Sequence, residues 1–230
     1  MLQPQHILFE DNHLLVVNKP AGLLSQGDDT NDLCLVDLAK EYIRVKYQKP
    51  GNIFCGLVHR LDRPVSGVIL LAKTSKALER LTAQFRDRKV QKNYAAVVHG
   101  IPKDERKTLV HYLKKDTQKN KVTTYNTQKP ETQFAELSYE LAATNKAYSL
   151  LKVMPHTGRS HQIRVQLSSN GTPIVGDLKY GSKETNEDAS ICLHAYELHF
   201  THPTLQTQLV FTAPLPNIGQ WKNFKINQLK

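Results

Sequence analysis

Five consecutive apolar residues, Val68-Ile69-Leu70-Leu71-Ala72, constrain this chain more than any other stretch. The run is short, continuous and bounded by Gly67 and Lys73-Thr74, the pattern of a buried strand. Directly before it stands His59-Arg60-Leu61-Asp62-Arg63-Pro64-Val65-Ser66-Gly67, in which one carboxylate sits between two arginines. A carboxylate at the edge of a buried strand loses water, while a neighbouring guanidinium favours its charged form. The product is an ionised, poorly hydrated carboxylate, which is what a nucleophile or general base requires. A structural Asp–Arg pair fits these residues equally well.

The 230 residues allow one domain of generous size or two small ones, and 40% hydrophobic against 23% charged residues describes a soluble globular chain. No apolar run approaches the roughly 20 residues that cross a bilayer, and the N-terminus lacks a basic-then-apolar export signal. Cys34, Cys55 and Cys192 are scattered and form no CxxC pair, which argues against a disulfide framework or structural zinc and for a reducing cytoplasm. The net charge is +10, and its distribution is uneven. Residues 59–122 hold 16 Lys and Arg against 6 Asp and Glu, while the rest of the chain is balanced at 15 each. A polyanion bound there would bring its phosphates to Asp62.

Ile7–Glu10 and Leu14–Val17 read as strands around an Asp11-Asn12 turn, followed by a polar loop from Ser25 to Asp32. Helical spacing predicts helices over 35–47 and 75–86, the second capped by Thr74 or Ser75. Lys92–Val98 is a further strand, and Thr108–Leu113 and Lys121–Asn126 are expected as edge strands because lysines discourage pairing. A hairpin is expected over 132–141 and 147–154, then a helix over 160–169, strands at 191–200 and 209–211, and a terminal helix in the tail 217–230. Strands outnumber helices and hairpins dominate. The expected fold is therefore α+β, a mixed, largely antiparallel central sheet flanked by helices.

Thr157-Gly158-Arg159-Ser160-His161-Gln162-Ile163-Arg164 is the second dense polar cluster. On a helix, Ile163 and Leu167 face the core, leaving Arg164 able to point sideways into a cleft, where its fork could hold a carboxylate such as Asp62. A surface helix with ordinary arginines is the plain alternative.

His-Arg-Leu-Asp followed by the 64–67 turn resembles the catalytic motif of the RluA-type pseudouridine synthases, with Val65 where that family usually has Thr. The 157–164 cluster with Gly171-Thr172-Pro173-Ile174-Val175-Gly176-Asp177 is similar to the family's second signature, and Lys92-Asn93-Tyr94-Ala95 to its tyrosine strand. Further similarities run through Lys19-Pro20-Ala21-Gly22 and from Leu193 to Pro203, in family order. The resemblance implies a single catalytic domain over 1–230 in which Asp62 attacks a target uridine covalently, Arg164 pairs with Asp62 and Tyr94 stacks on the base. It assigns Arg60 to base flipping, and places Arg159, His161, Gln162, Ile163 and Lys92 on the substrate side. Asp177 is expected as a structural or substrate-loop residue.

No organic cofactor and no metal are expected, because His194, His199 and His202 lack a completing ligand set at a workable spacing. The expected partner is RNA, a transfer or ribosomal RNA stem-loop read chiefly by the basic segment 86–121, since the similarity begins within the first ten residues and no separate RNA-binding domain precedes it. No obligatory protein partner and no membrane are implied. The rival of another class is a non-catalytic RNA-binding or RNA-folding module on the same fold; a hydrolytic nucleic-acid glycosylase is the third reading.

Overall fold

The computed structural model describes residues 2–229. In chain order the elements are β1 (Ile7–Glu10), β2 (Leu14–Lys19), α1 (Leu35–Lys46), β3 (Gly56–Leu57), β4 (Ser66–Ala72), α2 (Ser75–Arg86) and β5 (Gln91–His99). There follow β6 (Arg106–Asp116), β7 (Lys121–Tyr125), β8 (Gln133–Thr144), β9 (Tyr148–Pro155), α3 (Gln162–Ser169), β10 (Leu193–Thr201) and β11 (Gln208–Thr212). The fold is α+β, and its hairpin ladders are antiparallel. The residues gather into two compact units, 2–91 with 195–213, and 92–194 with 214–229.

In the first unit the strand order is β1-β2-β4-β10, with β11 on β10 and β3 on β4. All seven residues of β4 are buried, as the apolar run demands. Leu14, Val16, Val68, Leu70, Leu198 and Phe200 form a core against which α2 lays Ala77 and Leu81. Thr74 caps α2 by accepting the Ala77 N–H at 3.2 Å. In α1 the buried residues are Leu35, Ala39 and Ile43, one every four residues on a single face.

The second unit carries β5-β9-β8-β6-β7 in that order. Of the two strands expected at an edge, β7 lies there, whereas β6 is flanked by β7 and β8 and runs to eleven residues. The helix expected from Ser160 begins at Gln162, because His161 sits at φ 50°, in the left-handed region that no right-handed helix admits. The tail forms two short 3-10 turns, Gly219–Asn223 and Ile226–Leu229, in place of an α-helix, anchored by buried Trp221 and Leu229; position 230 lies outside the described residues. Among the described residues no helix is long and apolar enough to cross a membrane.

Candidate active site

Asp62 stands half-buried in the loop that feeds β4. Both sides of that loop are pinned. The Ser25 hydroxyl donates to the Leu61 carbonyl at 2.7 Å and accepts the Leu61 N–H at 3.1 Å, satisfying both backbone groups beside Asp62. After Asp62 the chain turns, with the Val65 N–H donating to the Asp62 carbonyl at 3.0 Å. His59 Nε2 accepts the Leu70 N–H at 3.1 Å and its ring stacks on Phe85 at 4.8 Å, which ties the motif's first residue to β4 and α2. Arg63 faces away, bridging to Asp32 at 2.8 Å and donating to the Gly22 carbonyl at 3.0 Å. Arg60 is exposed.

Beneath this loop lies Lys19, 0% exposed. Its ammonium donates to the carbonyls of Pro20 (2.9 Å), Leu23 (2.7 Å) and Arg63 (3.4 Å). Burial pulls its pKa down to about 7, and the charge of Asp62 works against that shift. The loop therefore folds around a buried lysine whose charge is coupled to that of Asp62.

In the second unit α3 is buried on every side, from Gln162 through Leu167, so the surface-helix alternative does not hold. Arg164, 6% exposed, is gripped by Asp177 in a two-point pair, Nε to Oδ2 at 2.7 Å and NH2 to Oδ1 at 2.9 Å. Its guanidinium also lies 5.1 Å from the ring centre of Tyr180. The Tyr180 hydroxyl accepts the Val122 N–H at 2.8 Å and lies 2.7 Å from His161 Nδ1. Asp177 thus serves as the orienting partner of Arg164.

Gln162 organises the preceding loop. Its Oε1 accepts from the Thr157 hydroxyl (2.7 Å) and the Arg159 N–H (3.0 Å), and its Nε2 donates to the Glu136 carbonyl at 3.0 Å. Arg159 lies outside the helix, with Nε on the Phe134 carbonyl at 3.0 Å. A Cβ placed on Gly158 would lie 3.9 Å from Lys92 Nζ, which sets that ammonium beside the same loop. Tyr94, half-buried on β5, is in register with Val153 of β9, and Ile163 is buried. Asp62 and Arg60 thus belong to the first unit, and Tyr94, Arg164, Lys92, Arg159, His161, Gln162 and Ile163 to the second.

The RNA pseudouridylate synthase family matches residues 13–169, a span that includes Asp62, Tyr94 and Arg164. The chain belongs to that family. A dual-specificity RNA pseudouridine synthase RluA of Escherichia coli is 38% identical over 216 residues, covering 90% of this chain and 92% of the relative. A ribosomal large subunit pseudouridine synthase C of Buchnera aphidicola is 36% identical over 219 residues, covering 91% of this chain and 67% of the relative. Among solved structures, a human RNA pseudouridylate synthase domain containing 1 superposes with a TM-score of 0.70 at 26% identity, covering 92% of this chain and 84% of that one.

Three residues that contact or hold the candidate residues within their own units were not singled out from sequence: Ser25 and Lys19 in the first and Tyr180 in the second. Ser25 looked like one more polar loop residue, and only its 36-residue reach to Leu61 gives it a role. For Lys19 the signal was present in Lys19-Pro20-Ala21-Gly22, but a lysine beside a turn reads as solvated until its burial is known. Two of the three clustered histidines pair with carboxylates: His199 lies 2.7 Å from Glu197 and His202 2.8 Å from Asp11.

Proposed function

We propose that this chain isomerises uridine to pseudouridine in RNA, with Asp62 as the nucleophile. The observation that carries the reading is the family match across 13–169, a span that holds Asp62, Tyr94 and Arg164. It is supported by the way Ser25, Lys19 and the 62–65 turn hold Asp62 on a fixed backbone, since a nucleophile gains from a pre-set position. In this reading the target base is extruded from its stack, with Arg60 filling the vacated space. The Asp62 carboxylate bonds C1′ as the C1′–N1 bond breaks and its electron pair stays on N1. The uracil turns, and C5 bonds C1′ as the Asp62–C1′ bond breaks and frees the carboxylate, with N1 taking up a proton. The C5 proton then leaves, with Tyr94 against the base. Arg164, held by Asp177, supplies the cation that favours the ionised nucleophile.

Water must be kept out, because a solvent molecule at the broken bond would convert isomerisation into hydrolysis. Lys92 and Arg159 meet phosphates in this scheme, while His161, Gln162 and Ile163 shape the substrate side from below. The two units work as one catalytic domain, a reading that the unbroken family match from 13 to 169 supports. We place the activity in the cytoplasm, on a transfer or ribosomal RNA stem-loop; for the ribosomal target, the name of the similar ribosomal large subunit pseudouridine synthase C supports the reading. No obligatory protein partner enters the scheme.

RNA carrying tritium at uridine C5 separates the readings. Isomerisation releases tritium and leaves the strand without abasic sites. Free uracil would identify a glycosylase instead, and binding with neither product a non-catalytic module.

A further inference from the structure

Beyond the reaction centre, the second unit carries a row of aromatic rings that no step of the isomerisation uses. Tyr125 of β7 is in register with Tyr112 of β6, and Tyr112 with Phe134 of β8. Residues directly opposite in an antiparallel ladder project from the same face, so the three rings lie side by side across three strands. Leu109 and Leu113, on the opposite face of β6, are buried, and Leu113 joins Val165 and Tyr180 in a core. The aromatic row therefore lies on the open face. Phe134 is 37% exposed and Val110, on the same face of β6, 47%. Tyr112 and Phe134 meet edge to face at 6.0 Å.

Cations surround the row. Lys129 Nζ lies 4.7 Å from the centre of the Tyr125 ring, and Arg159 is fastened to the Phe134 backbone. Lys114 projects from the same face of β6 and bridges to Glu131. The β6–β7 hairpin, residues 106–125, holds six Lys and Arg against one Asp. Exposed rings flanked by cations are what unpaired nucleobases bind, because every base has a stacking face and the phosphates between bases seek positive charge. With strands spaced about 4.8 Å apart, three rings span about 10 Å, enough for two or three bases.

We propose that Tyr125, Tyr112 and Phe134 form a stacking platform for single-stranded RNA flanking the modified stem-loop, continuous with Arg159. This rests on the RNA reading above for its ligand but on none of the catalytic assignments. It differs from a sheet-stabilising role, which cross-strand aromatic pairs also play, in what it requires of RNA binding.

The test uses the full chain, a single-stranded oligouridylate containing 5-bromouridine, and a blunt RNA hairpin of equal length. Irradiation is expected to crosslink the single strand to peptides carrying Tyr112, Tyr125 or Phe134. Phe134→Leu and Tyr112→Leu are expected to weaken single-strand binding by about ten-fold each while leaving hairpin binding unchanged. Leucine keeps apolar bulk, and a thermal melt identifies any variant that fails to fold. Crosslinks only at other peptides, or equal losses for single strand and hairpin in folded variants, would overturn the platform. Wild-type tritium release, measured in parallel, reports on the synthase reading separately: it can fail while the platform stands, and the reverse.

Discussion

A Cβ added at Gly67 would drive into the Ala195 backbone, and Gly67 itself adopts φ +122°, which L side chains rarely accept. Gly67→Ala is therefore expected to cost several kcal/mol and to lower the melting temperature steeply, a change that calorimetry reads directly. At Arg164 the expectations are graded by what each partner supplies. Asp177→Asn removes the carboxylate charge that grips the buried guanidinium at two points and is expected to cost about 3–5 kcal/mol. Tyr180→Phe keeps the ring under the guanidinium and loses the hydroxyl's bonds to Val122 and His161, for about 1–2 kcal/mol. Urea titration of both variants checks the order; a larger loss for Tyr180→Phe would contradict it. At this scale the sequence made Asp62 and Arg164 legible, because each sits in a dense motif of unusual composition. Asp177 was legible only as a residue of uncertain duty, because its meaning depends on Arg164, 13 positions away.

Between elements, the N-terminal hairpin is fastened to α1 by one carboxylate. Glu10 accepts from Lys46 (2.6 Å), Lys73 (2.6 Å), Tyr47 (2.7 Å) and Tyr42 (2.8 Å). Burial alone would raise its pKa, but the four donors override it and bring it to about 2. The folded pKa lies below the ordinary 4.5, so this stabilisation is complete above pH 4.5 and disappears as pH falls from 4.5 toward 2. Glu10→Gln is expected to lower stability by about 2–3 kcal/mol at pH 7 and to flatten the acid dependence in that window. Unfolding curves at stepped pH values measure both. The elements were mostly readable from sequence: β4 and α2 announced themselves through an unbroken apolar run and a capped amphipathic stripe. Both strands of the β6–β7 hairpin were also expected, but not the place of β6 between β7 and β8, since its lysines look like those of an edge. The start of α3 was missed because the left-handed turn at His161 depends on its bond to Tyr180, which no local pattern encodes.

On the scale of the whole molecule, both units bury their thiols. Burial pushes the Cys55 thiol of the first unit and the Cys192 thiol of the second up to about 12. Neither is expected to react with a thiol reagent at pH 8 until denaturant is added, and fast labelling of the native chain would contradict the packing described. The excess positive charge concentrated in 59–122 falls on both units, from the Asp62 loop through the β6–β7 hairpin, in keeping with a polyanionic substrate. The account turns on Asp62, and the most direct measurement is single-turnover tritium release from C5-labelled RNA by wild type and Asp62→Asn. The account expects release by the wild type and none above background from the variant, whose amide cannot form the covalent bond, with RNA affinity retained. Release by folded Asp62→Asn at the wild-type rate would contradict it.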